Sequence, residues 1–347
     1  MLPVLIAFKF PDWLGSISWI ELSVSLILLL GLFLWRSRTE GFSYRHFVFW
    51  VGVYAVIRGL CVYAGPGYKF ELHNYGVLIA LGFTVGIYLA VRQARREGIP
   101  AYIILDLAFW IVIAAMVGSR ILFIIVNMDD YIAQPINLLK IWQGGLVFYG
   151  GLIGAVLATW MYTQQHKLNF LHLADVLIPS VAIGHVFGRL GCFAAGCCHG
   201  MPTGIEGFGV VFTDPGTVVA RNHLLGIPLH PTQLYDALGE LIIFVVLIFL
   251  RRRKRFHGQL FIAYLIMYPI LRSIVEMFRG DYERGMLLNI DLFGSPEPDI
   301  LSTSQLISLL IAVGAIFLLR YLLHQRKQQA SITVSPAPPP PDSQAKE

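Results

Sequence analysis

The chain has 347 residues, of which 56% are hydrophobic and only 14% are charged, and its mean hydropathy is +0.67. A soluble core of this size cannot bury that much apolar surface, so the composition excludes a soluble globular protein and predicts an integral membrane protein. The net charge of +5 does not require a nucleic-acid partner, because the basic residues fall in short clusters between apolar runs, as the positive-inside rule predicts.

The apolar runs predict an all-α, polytopic membrane protein with about nine transmembrane helices. In chain order, the predicted spans cover about 17–36, 47–64, 74–91, 103–126, 146–163, 174–191, 234–250, 258–279 and 302–322. The second span is the weakest because Arg58 interrupts it. No signal-peptide pattern precedes the first span, which we therefore expect to be retained.

The same pattern predicts three regions and an orientation. Residues 1–68 form an N-terminal membrane extension, 69–325 form a membrane domain, and 326–347 form a polar, proline-rich tail that is expected to be disordered. Basic clusters follow the odd-numbered spans, the longest being RRRKR at 251–255. With nine spans, these clusters share one side, which predicts an N-terminus outside and a C-terminus in the cytoplasm.

The polar motifs converge on the opposite, outer face of this topology. LHNYG (72–76), GGLVFYGG (144–151) and HPTQLYD (230–236) each open a span from that face, and GRLGCFAAGCCHG (188–200) closes one. The segment at 131–143, YIAQPINLLKIWQ, is too short and polar to span, and we expect it to lie as an arm at the outer interface.

Arginines lie at similar predicted depth in three different spans: Arg120, Arg189 and Arg272. Ionisable side chains inside a membrane are costly and usually face a bundle interior or a cavity. Glu276 lies one turn from Arg272, and His185 one turn from Arg189, so each pair can share a helix face. A structural ion pair would explain any one arginine. A shared anion explains all three better, because arginine offers forked donors suited to phosphate, and a phospholipid headgroup is the natural candidate.

Glycines recur in the same motifs, among them Gly150, Gly151 and Gly200. A glycine lets a second helix, or a ligand, approach the backbone closely. The sequence alone leaves both explanations open.

Taken together, LHNYG, GSR (118–120), GGLVFYGGLIG, GRLGCFAAGCCHG, HPTQLYD and LRSIVEMFR (271–279) resemble the bacterial prolipoprotein diacylglyceryl transferases in order and placement. The resemblance covers roughly residues 70–325. It implies an enzyme of the cytoplasmic (inner) membrane, with its active site facing the outer leaflet. That enzyme would move the diacylglyceryl group of phosphatidylglycerol onto the lipobox cysteine of a prolipoprotein and release glycerol phosphate. Its implied partners are phosphatidylglycerol, prolipoprotein signal peptides and membrane lipids, with no cofactor and no nucleic acid.

The resemblance also implies roles for individual residues. Arg189 and Arg272 would hold the lipid phosphate and assist the leaving group, and Tyr75 matches a functionally important tyrosine. Tyr149, His199 and His230 complete the predicted catalytic set. The predicted substrate-binding set consists of Arg120, Arg189, Gly150, Gly151, Gly200, Gln233, Tyr235, Glu276 and Arg279.

Three positions depart from the pattern that the chain resembles. Tyr149 stands where better-studied members carry histidine, and a phenol with a pKa of about 10 is a poor base at neutral pH. Cys192 and Cys197 stand where the family has an asparagine and an acidic residue. If Tyr149 only positions lipid, the base is His199 or His230, or the positive field of the arginines suffices without one.

Three of the four cysteines lie in GRLGCFAAGCCHG. In an oxidising compartment, Cys192 could form a disulfide with Cys197 or Cys198, which is the favoured interpretation. A metal site that also includes His199 has suitable ligand types, but vicinal cysteines strain its geometry and no second CxxC pair is present. Packing, or a thiol that takes part in transfer, is a further alternative. Cys61 is expected to be simply buried.

Two other classes of function fit the same residues. One is a membrane protein that binds or transports anionic lipid without chemistry, and the other is a related protein with a different acceptor or a thiol-redox role. Transfer requires Arg189 and Arg272, whereas a redox role requires the three clustered cysteines, so substitution separates these hypotheses.

Overall fold

The computed structural model describes residues 4–9, 69–133, 145–204, 207–280 and 303–333. The chain divides into two compact units, Leu2–Val77 and Leu78–Glu347, the second together with Met1. The helices are α1 Asn74–Arg96, α2 Ala101–Val126, α3 Met128–Ala133, α4 Phe148–Gln165, α5 Phe170–Ala195, α6 Val218–Arg221, α7 Thr232–Arg251, α8 Gln259–Glu276 and α9 Thr303–Thr333. The strands are β1 Val4–Lys9, β2 Lys69–His73, β3 Val210–Val211 and β4 Pro228–Leu229.

Six of the described helices are long and apolar enough to cross a membrane: α1, α2, α5, α7, α8 and, within α9, Ser304–Arg326. They confirm a mostly helical, polytopic membrane protein. The predicted fifth span is the helix α4, which is not among these six. The first two predicted spans and most of the predicted arm lie outside the described residues, so the count of nine spans and the orientation stay predictions. The helix α9 continues to Thr333, past residue 326, where the tail was predicted to begin.

Two short antiparallel sheets correct the expectation of a purely helical protein. Within the unit Leu2–Val77, β1 pairs with β2, with Val4 opposite His73 and Lys9 opposite Lys69. Between α5 and α7, β3 pairs with β4. The alternation that reveals a strand is missing from both, because VLIAFK is almost continuously apolar and two residues are too few to show a period.

The ends of α5 are fixed by local signals. The Asn169 side chain accepts a hydrogen bond from the backbone N–H of His172 at 3.0 Å, which caps the first turn. The helix stops at Gly196, whose φ of 68° is the left-handed conformation that glycine adopts without a Cβ penalty. The chain therefore turns away from the helix axis immediately before Cys197.

The helix α5 is central, because it belongs to two hydrophobic clusters. One cluster joins α1, α2, α4 and α5 and includes Ile104 and Leu173. The other joins α5, α7 and α8 and includes Ala182 and Leu260. These contacts fix α5 relative to α7 and α8, and those three helices carry Arg189, Arg272 and Glu276 of the predicted site.

A buried carboxylate connects α5 to the start of α8. The Asp175 side chain is 1% exposed and accepts hydrogen bonds from the backbone N–H groups of Gly258, Leu260 and Phe261 at 2.7, 2.9 and 3.0 Å. The ammonium group of Lys254 lies 3.3 Å from the same carboxylate. Asp175 thus satisfies N–H groups that have no partner within their own helix, and its charge complements the helix dipole.

Candidate active site

The segment 197–201 follows α5 and is paired with backbone on both sides. The N–H of Gly200 donates to the carbonyl of His230, and the N–H of Met201 donates to the carbonyl of Phe278, each at 3.0 Å. A Cβ at Gly200 would lie 2.5 Å from His230 Cβ and 2.7 Å from Phe278 O, closer than real Cβ atoms come. Gly200 is therefore required by the packing of this segment, whether or not it also contacts a substrate.

The first two side chains of α7 hold the cysteine segment in place. Thr232 Oγ1 donates to the carbonyl of Cys198 at 2.8 Å, and Gln233 Nε2 donates to the carbonyl of Cys197 at 2.7 Å. Both side chains are almost fully buried. Gln233, which was predicted to bind substrate, is thus a direct support of the cysteine loop.

Arg189, near the end of α5, pairs with Asp236 on α7. Their Nε and Oδ2 atoms are 2.7 Å apart, and the Arg189 N–H is directed towards His185 Nε2 at 3.2 Å. Asp236 is 1% exposed. Burial of both charges is tolerable only because they are paired, so the orientation of this guanidinium is set by the α5–α7 interface.

A second buried acid on α7 continues this network. Glu240 is fully buried, and its Oε1 lies 2.7 Å from His185 Nδ1 and 3.3 Å from the Tyr264 hydroxyl. With Nδ1 facing a carboxylate and Nε2 facing Arg189, both ring nitrogens of His185 are engaged. Glu240 therefore orients His185, which in turn accepts the hydrogen bond from the Arg189 Nε–H group.

Arg272 and Glu276 share one face of α8, as their spacing predicted. Arg272 Nη2 lies 2.5 Å from Glu276 Oε2 and 3.4 Å from Ser304 Oγ on α9. Arg272 Nη1 is buried and finds no hydrogen-bond acceptor among the residues that the structure describes. Arg189 and Arg279 both lie within electrostatic range of Arg272. The structure therefore gathers two further guanidinium groups around Arg272, whose Nη1 has no acceptor in the part of the chain that the structure describes.

Two tyrosines border this arginine cluster. Tyr149, at the start of α4, lies within electrostatic range of Arg272 and Arg279. Tyr268, on α8, lies within range of Arg189 and Arg272. Both phenols thus lie near the arginine cluster, and the predicted role of Tyr149 stays a prediction.

Gly150 and Gly151 lie in the contact between α2 and α4, whereas Arg120 connects α2 to the residues before α4 and to α3. A Cβ at Gly150 would lie within 2.7 Å of Leu122 Cβ and closer still to the carbonyl of Gly118. Arg120 donates to the carbonyl of Gly145 at 3.4 Å and stacks near the rings of Phe123 and Tyr131. The close approach of the helices leaves no room for a Cβ at either glycine, and the predicted role of both in substrate binding stays a prediction.

The two histidines predicted as candidate bases differ in their surroundings. His199 is 1% exposed, and its Nδ1 lies 3.1 Å from the carbonyl of Gly200 while its Nε2 lies 3.0 Å from Asn222 Nδ2. His230 Nδ1 lies 3.3 Å from the Tyr235 hydroxyl. Both nitrogens of His199 are thus engaged within the protein, which leaves none to accept a proton from a substrate.

Tyr75 lies in the first turn of α1 and is 45% exposed. It belongs to the unit Leu2–Val77, whereas the residues described above belong to the other unit. The predicted catalytic role of Tyr75 stays a prediction.

The three clustered cysteines approach one another closely. The Sγ atoms of Cys192, Cys197 and Cys198 all lie within 4.8 Å of one another, and all three are unbridged and partly buried. Hydrogen bonds with Cys192 and Cys197 lower the pKa of the Cys198 thiol; burial opposes that shift, and the charges of Arg279 and Arg189 reinforce it. The trio therefore lies beside the arginine cluster and has one thiol that favours the anion.

Two apolar grooves run along the helices of the larger unit. One, of about 660 Å³, lies between α2 and α4, and the other, of about 300 Å³, lies between α1, α2 and α5. The smaller groove reaches Gly184 on α5, about 1.4 helical turns before Arg189.

Asp236, Glu240 and Tyr268 lie beside the arginines but were not predicted from the sequence. Asp236 and Glu240 lie one turn apart in an otherwise apolar helix, and acids at membrane depth are themselves a signal. That signal could have identified them as partners for the arginines of other spans.

Comparison with known proteins identifies the family. A profile of the family described as prolipoprotein diacylglyceryl transferase matches residues 66–321. The chain belongs to the prolipoprotein diacylglyceryl transferase family. Two similar relatives bear the name phosphatidylglycerol–prolipoprotein diacylglyceryl transferase. One, from Clostridium tetani, is 34% identical over 71% of this chain and 92% of its own length. The other, from Halalkalibacterium halodurans, is 35% identical over 73% of this chain and 83% of its own length.

Membership of the prolipoprotein diacylglyceryl transferase family confirms the resemblance inferred from the motifs. The matched range includes the arginine cluster and the three clustered cysteines. A third relative of the same name, from Oceanobacillus iheyensis, is 30% identical over 79% of this chain.

Proposed function

We propose that this protein transfers the diacylglyceryl group of phosphatidylglycerol to the cysteine thiol of prolipoproteins. The observation that carries the proposal is the buried cluster of Arg189, Arg272 and Arg279, in which Arg272 Nη1 has no acceptor among the described residues. Buried guanidinium donors suit a phosphate group in number and geometry. The names of the relatives support the same substrate pair.

The reaction joins a sulfur to a carbon and releases a phosphate monoester. The thiol sulfur of the prolipoprotein attacks C3 of the diacylglyceryl group, and the C3–O bond to phosphate breaks. The electron pair of that bond stays on the phosphate oxygen, so negative charge grows there in the transition state. Fixed guanidinium donors stabilise this charge more strongly than they stabilise the substrate, which is the condition for catalysis.

The surrounding residues take supporting roles in this proposal. Asp236 and Glu276 hold the guanidinium groups of Arg189 and Arg272, and Tyr149 donates a hydrogen bond to the bound lipid. The apolar groove that reaches Gly184 receives an acyl chain. His230, Tyr75, Tyr235 and Arg120 remain proposed members of the site on the strength of the motif resemblance.

We further propose that the site faces the outer leaflet of the bacterial inner membrane. The basic clusters of the sequence support a cytoplasmic location for the opposite ends of the helices. This orientation places the arginine cluster where both a phospholipid headgroup and a translocated prolipoprotein can reach it.

The test is transfer itself. Purified protein in detergent is incubated with phosphatidylglycerol and a lipobox peptide, and glycerol phosphate release and the mass of the peptide are measured. We expect product from the unaltered protein and none from Arg189→Ala or Arg272→Ala. The control is Arg253→Ala, which removes an exposed arginine outside the cluster and should leave the rate unchanged. Binding of the lipid without product would favour the lipid-binding alternative, and full activity in both cluster variants would overturn the mechanism.

A further inference from the structure

The backbone that carries the three clustered thiols is held by a helix and by hydrogen bonds. Cys192 lies in the last turn of α5, and the carbonyls of Cys197 and Cys198 are held by Gln233 and Thr232. Their Sγ atoms lie within 4.8 Å of one another. Nothing in the proposed transfer, which uses the arginines, accounts for three converging sulfurs.

The spacing of these sulfurs suits a metal ion. A Zn–S distance of about 2.3 Å in a tetrahedral site places the sulfurs about 3.8 Å apart, so these need to draw together by about 1 Å at most. The ligand type also favours zinc, because thiolate sulfur is a soft ligand that prefers zinc over magnesium or calcium.

The site offers three ligands and an open fourth position. Within the described ranges, no other histidine, cysteine or carboxylate joins Cys192, Cys197 and Cys198. His199, the fourth ligand considered from the sequence, is directed elsewhere, to the Gly200 carbonyl and to Asn222. Structural zinc sites are closed by four protein ligands, whereas catalytic sites have three and leave one position for substrate.

The surroundings favour an anionic metal centre beside the proposed phosphate site. Arg189 lies within electrostatic range of Cys192 and Cys198, and Arg279 within range of Cys198. Three thiolates with one zinc ion carry a net charge of −1, which these guanidinium groups stabilise. An incoming thiol bound at the fourth position would therefore lie next to the arginine cluster.

A metal ion at this site would also activate the nucleophile of the proposed transfer. The thiol must lose its proton to attack, and both ring nitrogens of His185 and of the buried His199 are engaged. Metal coordination deprotonates a thiol without a neighbouring base.

We propose that Cys192, Cys197 and Cys198 bind one zinc ion whose open position takes the cysteine thiol of the prolipoprotein, an inference that rests on the proposed transfer function. On binding, that thiol gives its proton to solvent and coordinates as a thiolate. Its sulfur then forms the C–S bond to C3 of the diacylglyceryl group as the C3–O bond breaks, and the thioether product, a weaker ligand, leaves the metal. The released phosphate monoester takes up a proton from solvent, so no oxidant or reductant is needed.

The first experiment measures the metal without reference to activity. The full chain is purified in detergent under anaerobic, reducing conditions, stripped with a chelator and titrated with zinc. We expect one zinc per chain and an X-ray absorption spectrum with three sulfur neighbours and one oxygen. A lipobox peptide should raise this to four sulfurs, whereas the same peptide with serine in place of cysteine should not.

Substitutions define the ligands. Cys192→Ser, Cys197→Ser and Cys198→Ser should each weaken zinc binding by at least about 100-fold, in keeping with loss of a metal ligand. Cys61→Ser is the matched control and should bind as the unaltered protein does. Size-exclusion profiles and circular dichroism establish that each variant is folded before it is scored.

Several results would overturn the proposal. A disulfide among the three thiols in the protein isolated from cells, with no zinc bound, would assign them to cross-linking. Four protein ligands, or a spectrum that the cysteine peptide leaves unchanged, would assign the metal to structure alone. Full transfer by zinc-free protein would reject the zinc step and leave the transferase intact. Zinc and thiol binding without any glycerol phosphate release would instead retain the thiol-binding site and reject the transfer.

Discussion

Arg189 on α5 and Asp236 on α7 form an ion pair with Nε and Oδ2 2.7 Å apart, and their side chains are only 14% and 1% exposed. Removal of one partner from a buried pair costs about 3–5 kcal/mol because the other charge is left uncompensated, whereas replacement of both by apolar residues is often neutral. Stability and catalysis can therefore be separated at this pair.

We expect Asp236→Asn to lower the melting temperature and to reduce the transfer rate at least tenfold, because Arg189 loses its counter-charge. The double variant Arg189→Met with Asp236→Leu should recover most of the melting temperature and none of the activity. Thermal unfolding in detergent and glycerol phosphate release measure the two effects. An Asp236→Asn protein with unaltered stability and rate would show that the pair does not position Arg189.

Gly150 tests whether the α4 glycines pack helices or bind substrate. Gly150→Ala places a Cβ against Leu122 and the carbonyl of Gly118, and overpacking of this kind costs about 1–3 kcal/mol. We expect a lower melting temperature with an unchanged KM for phosphatidylglycerol.

Gly314→Ala is the control for Gly150→Ala, because in the described part of the chain nothing beyond its own helix backbone lies within 4 Å of the position of its Cβ. Alanine in an open helical position should be neutral or stabilise α9 by up to about 1 kcal/mol. An unaltered melting temperature together with a raised KM in Gly150→Ala would favour the substrate-binding explanation.

His199 is expected to act through the fold rather than through its proton. Because Asn222 Nδ2 contacts His199 Nε2 at 3.0 Å, Asn222→Ala and His199→Ala should cause the same loss of stability. Neither should move the pH at which kcat/KM is half-maximal. A displaced acidic limb in His199→Ala, but not in Asn222→Ala, would restore His199 as a base.

The group of Glu97, His172, Lys254 and His257 predicts how stability depends on pH. Burial opposes ionisation of Glu97, but hydrogen bonds from Gln93 and His172 and the charge of Lys254 outweigh it and hold the pKa below its ordinary value of 4.5. Burial, followed by the charges of His172 and Lys254, lowers the pKa of His257 below its ordinary value of 6.5.

Both shifts make the folded state bind protons less readily than the unfolded state, so acidification destabilises the fold. The contribution of His257 should decline as the pH falls below 6.5. The contribution of Glu97, full above pH 4.5, should be lost as the pH falls through its lowered pKa. Melting temperatures from about pH 8 down to about pH 3, measured at about half-unit steps, should show the decline. His257→Gln should flatten its upper part and Glu97→Gln its lower part. A melting temperature independent of pH in this range would contradict the assignment.

Hydropathy predicted the helices well because the membrane requires long apolar segments, and six of the described helices meet that requirement. The pairing of Arg272 with Glu276 was also predictable, because the two share one helix face. The partner of Arg189 was not, because Asp236 lies on another helix and a single sequence carries no information on which faces meet. The orientation of His199 depends on Asn222, in a loop whose path no periodic pattern indicates.

The two ends of α8 are both fixed to the region of α5. Asp175 holds the first turn of α8, and backbone bonds from Met201 to Phe278 and from Gly280 to His199 hold the residues after its last turn. Because α8 is held to the region of α5 at both ends, the two helices cannot slide past each other. The distance between the guanidinium groups of α5 and α8 is therefore fixed. In a thinner or thicker bilayer, α5 and α8 must tilt together as one body. A phospholipid headgroup then has to change its own depth to reach the guanidinium groups.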